Sequence, residues 1–317
     1  MGSKNVKVLI LGAGAVGGYF GARLIQSGRD VTFLARARRA EQLRSVGIRI
    51  VKMDGSIETV PARTITADNI DSAYDLVIVA VKSFALPAAL ADVEPAVSTD
   101  TVVVPLLNGI AHLDKISDAL GTGEIYGGTC RLATQTNDRN DIVQLGTPQS
   151  LRWGTLDGRN DGRLPSIRTA LTGAGFDAEC SDTIYQDMWE KWMFLAALGA
   201  ICTLMRGSIG DVNSTSGGTD LVKAVIDEVV TVANASGNPP RPQCLRDMQD
   251  ALTDPDASTT SSLYRDLLQN RRLEADQILG DLTARASGFE IDTPLLSLAQ
   301  MNLSVYEIAG NRREVDR

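Results

Sequence analysis

Residues 6–35 constrain this chain more than any other stretch. A short β-branched run, Val6-Lys-Val-Leu-Ile-Leu11, stops at Gly12-Ala-Gly-Ala-Val-Gly17. An apolar segment of helical character follows, Gly18-Tyr-Phe-Gly-Ala-Arg-Leu-Ile25, and a second strand, Asp30-Val-Thr-Phe-Leu-Ala35, begins after Gly28. Strand, Gly-rich turn, helix and strand at this spacing predict a βαβ unit. In such a unit the first glycine, Gly12, permits the tight turn, and Gly14 lets a pyrophosphate approach the main chain. Gly17 lets the helix pack close to the sheet, and the helix N-terminus faces the anion. The whole turn, Gly12, Ala13, Gly14, Ala15, Val16 and Gly17, is therefore the expected dinucleotide cradle. With 29 glycines in the chain the pattern alone can arise by chance; the flanking elements weigh against a merely structural turn.

The end of the second strand bears on which dinucleotide is bound. An NAD site usually places Asp or Glu there for the ribose hydroxyls. Here the strand runs into Ala35-Arg36-Ala37-Arg38-Arg39, with no acid before Glu41. Guanidinium groups suit a 2′-phosphate, so NADPH is expected, with Arg36 as the main contact and Arg38 or Arg39 in support. An exposed basic turn is the competing reading. Two further apolar runs, Leu76–Val81 and Thr101–Leu107, read as buried parallel strands. They deliver Lys82 and Asn108 to the carboxyl ends of strands, where doubly wound sheets bind ligands. Asn108-Gly109 is equally an ordinary turn signal. The single histidine, His112, is assigned no role.

Three short strands, Ile125–Cys130, Asp141–Leu145 and Ser150–Gly154, are expected to extend the sheet on one edge, partly antiparallel. After residue 184 strand signals give way to helical periodicity, as in Thr219–Ala235. The predicted fold class is α/β, an N-terminal Rossmann-type doubly wound sheet (1–183) followed by a C-terminal all-α domain (184–317). A chain of 317 residues is long for one core. The net charge of −8 argues against a nucleic-acid partner. Four scattered cysteines without a CxxC pair predict neither a metal site nor a disulfide framework, and suit a reducing cytoplasm. The first residues carry no charged-then-apolar leader, so neither secretion nor a membrane is expected.

One stretch of the second half stands out. Met188-Trp-Glu-Lys-Trp-Met-Phe-Leu-Ala-Ala-Leu-Gly199 continues to Met205 with no charge after Lys191. The uncharged run is shorter than the ~20 residues that cross a bilayer, and it reads as a buried helix. Lys191 at its mouth either snorkels to water or serves as a general acid in apolar surroundings.

Together these motifs resemble the ketopantoate reductase family. The Gly-rich turn with Gly-Tyr-Phe-Gly-Ala-Arg, Val-Lys82-Ser, Leu-Leu-Asn108-Gly and Trp-Glu-Lys191 carry the resemblance. So do Asp254-Pro-Asp-Ala-Ser258, Ser261-Ser262-Leu-Tyr-Arg-Asp266, Glu274 and Thr293-Pro294, which extend it over essentially the whole chain. The resemblance implies that NADPH reduces a 2-oxo acid, 2-dehydropantoate, to (R)-pantoate in pantothenate biosynthesis. It implies that Lys191 protonates the developing alkoxide and that Glu274 organises the lysine, cofactor and substrate. Ser262 corresponds to the family's substrate-binding serine, and Lys82 and Asn108 to its cofactor-contacting pair, Asn108 lying also beside substrate. Ser262 and Glu274 are expected on roughly one face of one helix.

There is one departure. The family helix usually reads Lys-x-x-x-Asn-x-x-x-Asn, whereas this chain has Leu195 and Gly199 at those positions. Losing amides matched to a substrate hydroxyl costs ~1–3 kcal/mol per buried polar group left unpaired. A paralogous reductase for a more apolar 2-oxo acid is the first alternative. A catalytically silent NADPH-binding sensor or scaffold is the second, disfavoured by the retention of Lys191, Glu274 and Ser262. The expected partner is a small-molecule 2-oxo acid, in the cytoplasm; a homodimer stays open.

Overall fold

The computed structural model describes residues 6–315, and the first residues, where no leader is expected, lie outside that range. The chain divides into two compact units. One runs up to Leu107 and includes His112–Tyr185; the other comprises Asn108–Ala111 and the chain from Gln186 onward.

In the first unit ten strands form one sheet: β1 (Lys7–Leu11), β2 (Asp30–Leu34), β3 (Ile48–Val51), β4 (Ile57–Val60), β5 (Arg63–Ile65), β6 (Leu76–Val79), β7 (Val102–Pro105), β8 (Glu124–Thr136), β9 (Ile142–Thr155) and β10 (Asp177–Cys180). Its parallel part has the order β5-β2-β1-β6-β7-β8. Counting those strands alone, this is the 3-2-1-4-5-6 order of a doubly wound dinucleotide-binding sheet. Five helices accompany it: α1 (Ala15–Gln26), α2 (Ala37–Val46), α3 (Leu86–Val93), α4 (His112–Leu120) and α5 (Leu164–Leu171).

Alternation along the strands explains why both faces are covered. Val8, Ile10, Val102 and Val104 enter one core with Tyr19 and Phe20 of α1 and Ile167 and Leu171 of α5. Their neighbours Leu9, Leu11, Val77, Val79 and Val103 enter another with Leu86, Leu90 and Val93 of α3 and Ile116 and Leu120 of α4. A strand apolar at every position must be buried on both sides, and each such side chain contributes roughly 1.5–3 kcal/mol.

The far part of the sheet differs from expectation. The three short strands are two long ones, β8 and β9, paired antiparallel from Tyr126↔Thr155 to Thr136↔Ile142, with a register shift between Leu132 and Thr134. Nor do they form the edge. β3 and β10 each add parallel to β9, and β4 closes that side as the antiparallel partner of β3. One long strand satisfies β8 along one side and two short strands along the other, so it carries fewer breaks than its Asn, Gly and Pro residues suggest.

The second unit is helical: α6 (Ile184–Met205, its first turn containing the division), α7 (Ile209–Asn213), α8 (Gly218–Ala235), α9 (Pro242–Thr253), α10 (Ser262–Leu268), α11 (Asp281–Gly288) and α12 (Pro294–Val315). Capping accounts for several starts. Ser208 and Asp211 form a reciprocal capping box on α7. Ser261 Oγ accepts from Tyr264 N at the start of α10. The Glu228 carboxylate accepts from Leu295 N and Leu296 N at 3.0 and 2.9 Å, which satisfies the amino end of α12.

The single helix expected across Ser262 and Glu274 is broken. Asn270 takes a left-handed conformation (φ 53°), its N–H donates to Leu267 O, and Arg271 N donates to Asp266 O at 2.9 Å. This is a Schellman stop with Asn in the position glycine usually takes. Helix resumes only at Ala275, as a π turn over Asp276–Gly280 that continues into α11. Helical spacing therefore does not place Ser262 and Glu274 on one face.

α6 is 22 residues long, longer than its uncharged run, and apolar enough by length and composition to cross a membrane. Yet 72% of its most apolar window is buried within the protein. Lys191, Phe194 and Leu195 form a half-buried patch on a helix otherwise buried from Asp187 to Thr203.

Candidate active site

The first unit carries the Gly-rich turn between β1 and α1. Gly12 has φ 106°, a conformation that side chains disfavour, and a Cβ there would lie 2.8 Å from Ala80 O. A Cβ on Gly17 would lie 2.1 Å from Gly12 O and 2.9 Å from Ala80 Cβ, so helix and strand touch through hydrogens alone. Gly14 is different. A Cβ there meets nothing within 4 Å, and its φ of −90° suits any residue. The fold does not require this glycine. The open space above it fits a phosphate group approaching the main chain at the amino end of α1.

Around the turn, Arg36 and Arg38 are exposed, with Arg36 in the N-cap position of α2 directly beyond β2. Arg39, expected as a supporting phosphate contact, is engaged elsewhere: its Nη2 donates to Ala13 O at 3.0 Å and its Nη1 to Gln42 Oε1 at 2.8 Å. Burial pulls the Arg39 guanidinium below its ordinary pKa, partly opposed by Asp141. Lys82 is exposed three residues past the end of β6, where its carbonyl accepts from Ala85 N.

In the second unit, packing and hydrogen bonds tie together the segments that carry Lys191, Ser262, Glu274 and Asn108. Trp192, next to Lys191, is fully buried, and its Nε1 donates to Ile278 O at 2.9 Å. Ile278 sits in the π turn, whose widened backbone frees carbonyls for such partners. Ile278 N in turn donates to Glu274 O at 3.2 Å, so one short chain of bonds links the lysine-bearing helix to the buried glutamate segment. Gln277, also in the π turn, donates from Nε2 to Asn108 O at 2.9 Å, and Gly109 (φ 75°) lies against Gln277 O. The guanidinium of Arg285 lies 5.5 and 5.6 Å from the ring centres of Trp189 and Trp192. Ser262 opens α10, which packs on α6 through Leu263 and is latched by Tyr264 Oη donating to Arg206 O at 2.6 Å. No hydrogen bond or ion pair joins Lys191 to a described residue, so the expected Lys191–Glu274 contact is not an ion pair in this structure. Lys191 itself is half-buried.

Two features of this region were not read from the sequence. Glu190, beside Lys191, is buried and accepts from Arg241 N at 2.8 Å and Nε at 2.9 Å; Arg241 Nη2 donates to both Glu190 and Asp187. Burial pushes the Glu190 carboxyl up, but the Arg241 hydrogen bonds and charge more than offset it and hold the group below its usual range. Glu190, and secondarily Asp187, raise the Arg241 pKa. Burial, with the Glu190 charge, pushes the nearby Cys244 thiol up to about 11. The signal was present in Pro239-Pro240-Arg241-Pro242, a rigid segment delivering one cation, but its partner lies 51 residues away. Leu263 is the second feature: a Cβ on buried Gly199 would lie 3.0 Å from Leu263 Cδ1.

The family model described as "Ketopantoate reductase PanE/ApbA" matches residues 8–158, and its C-terminal counterpart matches 183–307. The uncharacterized oxidoreductase YkpB of Bacillus subtilis (strain 168) is 30% identical over 95% of this chain and 99% of its own. A 2-dehydropantoate 2-reductase of Streptococcus pyogenes serotype M18 is 25% identical over 90% of this chain and 93% of its own. Among solved structures, D-mandelate dehydrogenase with NADH and anilino(oxo)acetate has the same fold, with a TM-score of 0.84 at 24% identity over 96% of this chain and 99% of that one. The chain belongs to the ketopantoate reductase family, and so to a family of oxidoreductases.

Proposed function

We propose that this protein is an NADPH-dependent 2-oxo acid reductase whose substrate is 2-dehydropantoate, reduced to pantoate. The observation that carries the reading is Lys191. It is the one cation in the apolar length of α6, half-buried and without a hydrogen-bond or ion-pair partner among the described residues, next to a tryptophan tied to the segment that follows Glu274. Gly12–Gly17 would hold the pyrophosphate, Arg36 the 2′-phosphate, and Lys82 and Asn108 would contact the cofactor. When bound, the nicotinamide supplies hydride to C2 of the oxo acid. As negative charge grows on the carbonyl oxygen, the Lys191 ammonium stabilises it and delivers a proton, which completes the 2-hydroxy acid. Ser262 binds a substrate oxygen, and Glu274 holds the lysine's surroundings in order.

A second reading concerns the substrate, and the Gly199–Leu263 approach favours it. Leu263 stands where a side chain at position 199 would extend, and Leu195 occupies the turn between Gly199 and Lys191. An apolar surface there suits a 2-oxo acid with an apolar side chain better than a hydroxylated one. The test is a panel of 2-dehydropantoate and aliphatic and aromatic 2-oxo acids, followed by nicotinamide absorbance with NADPH and with NADH. The first reading expects the highest kcat/KM on 2-dehydropantoate with NADPH, and the second on an apolar 2-oxo acid. Turnover of no 2-oxo acid with either nucleotide would sink both.

A further inference from the structure

A glycine-rich turn is conformationally permissive, so something outside it must hold the conformation that receives a phosphate. Two side chains from distant parts of the sequence reach main-chain carbonyls of this turn. Arg39 Nη2 donates to Ala13 O at 3.0 Å, and Thr134 Oγ1 donates to Ala15 O at 3.3 Å. Arg39 is itself fixed. It is half-buried, its Nη1 is held by Gln42 Oε1, and its Nη2 also reaches Asn140 O at 3.4 Å in the turn joining β8 to β9. That turn is rigid for its own reasons. Asn137 Oδ1 accepts from Arg139 N and Asp141 N, Asn140 is left-handed, and buried Asp141 accepts from Arg49 Nε at 2.9 Å. Gln42 Nε2 completes the brace by donating to Arg139 O at 3.0 Å.

The consequence follows from peptide geometry. In a trans peptide the carbonyl of Ala13 and the N–H of Gly14 point in opposite directions. Holding the Ala13 oxygen on a guanidinium therefore aims the Gly14 N–H away from Arg39. The same charge polarises the peptide and makes that N–H a stronger donor. We propose that Arg39 is a positioning residue for the dinucleotide turn, acting through the Ala13 carbonyl on the amide that meets the pyrophosphate. This rests on the reading of the turn as a nicotinamide-dinucleotide site. It gives Arg39 a role distinct from that of Arg36, because the pyrophosphate is common to NADPH and NADH whereas the 2′-phosphate is not.

The experiment titrates wild type, Arg39→Met, Arg39→Lys and Arg36→Ala with NADPH and with NADH by fluorescence. It also measures amide hydrogen exchange over Ala13–Gly17 in the nucleotide-free proteins. Arg39→Met should weaken both nucleotides by the same factor, roughly tenfold, with kcat at saturating nucleotide retained and exchange at Gly14 accelerated. Arg39→Lys should recover part of the loss, and Arg36→Ala should weaken NADPH alone. Unchanged affinity for both nucleotides in Arg39→Met, or a loss confined to NADPH, overturns the proposal. If wild type binds neither nucleotide, the cofactor reading falls by itself. Arg39 is then judged on exchange alone, and unchanged protection at Gly14 overturns its role.

Discussion

The Gly-rich turn and the Lys191 helix bring function to the two units in opposite ways. The turn works by omission: Gly12 and Gly17 leave out side chains so that strand and helix can touch, and Gly14 leaves open space above the main chain. The helix works by a single inclusion, one ammonium on an apolar surface. An omission is enforced by neighbours a few residues away, whereas an inclusion takes its meaning from whatever the rest of the chain packs around it. Substitutions should accordingly separate fold from function within the turn, and chemistry from binding on the helix.

The largest effect is expected at Lys191. Lys191→Ala should lower kcat by about 10²–10⁴, the usual worth of a positioned general acid, while nucleotide affinity stays within a factor of about two. Stopped-flow turnover together with equilibrium titration measures both. A mutant that turned over normally would place the proton donor elsewhere, and one that lost nucleotide binding would show that Lys191 serves the cofactor instead.

Next come the paired glycines. Gly17→Ala gains helix propensity of ~1 kcal/mol, but its Cβ would sit 2.1 Å from a backbone oxygen that cannot move cheaply. The clash wins, and a net loss of roughly 3 kcal/mol in urea unfolding is expected. Gly14→Ala meets no atom. Its unfolding free energy should change by less than about 0.5 kcal/mol, and its nucleotide dissociation constant should rise several-fold. If Gly14→Ala proved the more damaging to stability, the division of labour within the turn would be wrong.

These contrasts explain what could be read from the sequence. The turn, β1, β2, β6 and β7 were legible because steric need and continuous apolar character are local. The edge was not. β3 joins β9 across Ile50↔Ile142, a pairing that no local pattern announces, although Asp54-Gly55 between two alternating runs is a hairpin signal. At the candidate site the geometry was not legible. The Schellman stop at Asn270 separates Ser262 from Glu274, and Glu190 turned out to be an anchor for Arg241. Leu263 has meaning only once α10 lies on α6, where it makes Gly199 a matter of packing.

The smallest predicted effects concern that anchor and sharpen the picture of α6 as a helix held at its charged end. Arg241→Ala leaves two buried carboxylates, Asp187 and Glu190, without their cation. The Arg241 side chain is 48% exposed, so water screens part of the cost, and about 2 kcal/mol is expected. The pH dependence has a definite sign. The Glu190 carboxyl is held below its usual range in the folded protein, so its stabilising contribution is complete above the unfolded value of about 4.3. That contribution is lost as pH falls through the lower folded value. The Cys244 thiol, pushed up to about 11, does not titrate in this window. The stability gap between wild type and Glu190→Gln should therefore be widest near neutral pH and shrink on acidification, as urea unfolding at a series of pH values would measure. A gap that stayed constant down to the acid transition would mean that Glu190 contributes by shape and hydrogen bonding alone, and that its charge is not what holds Arg241.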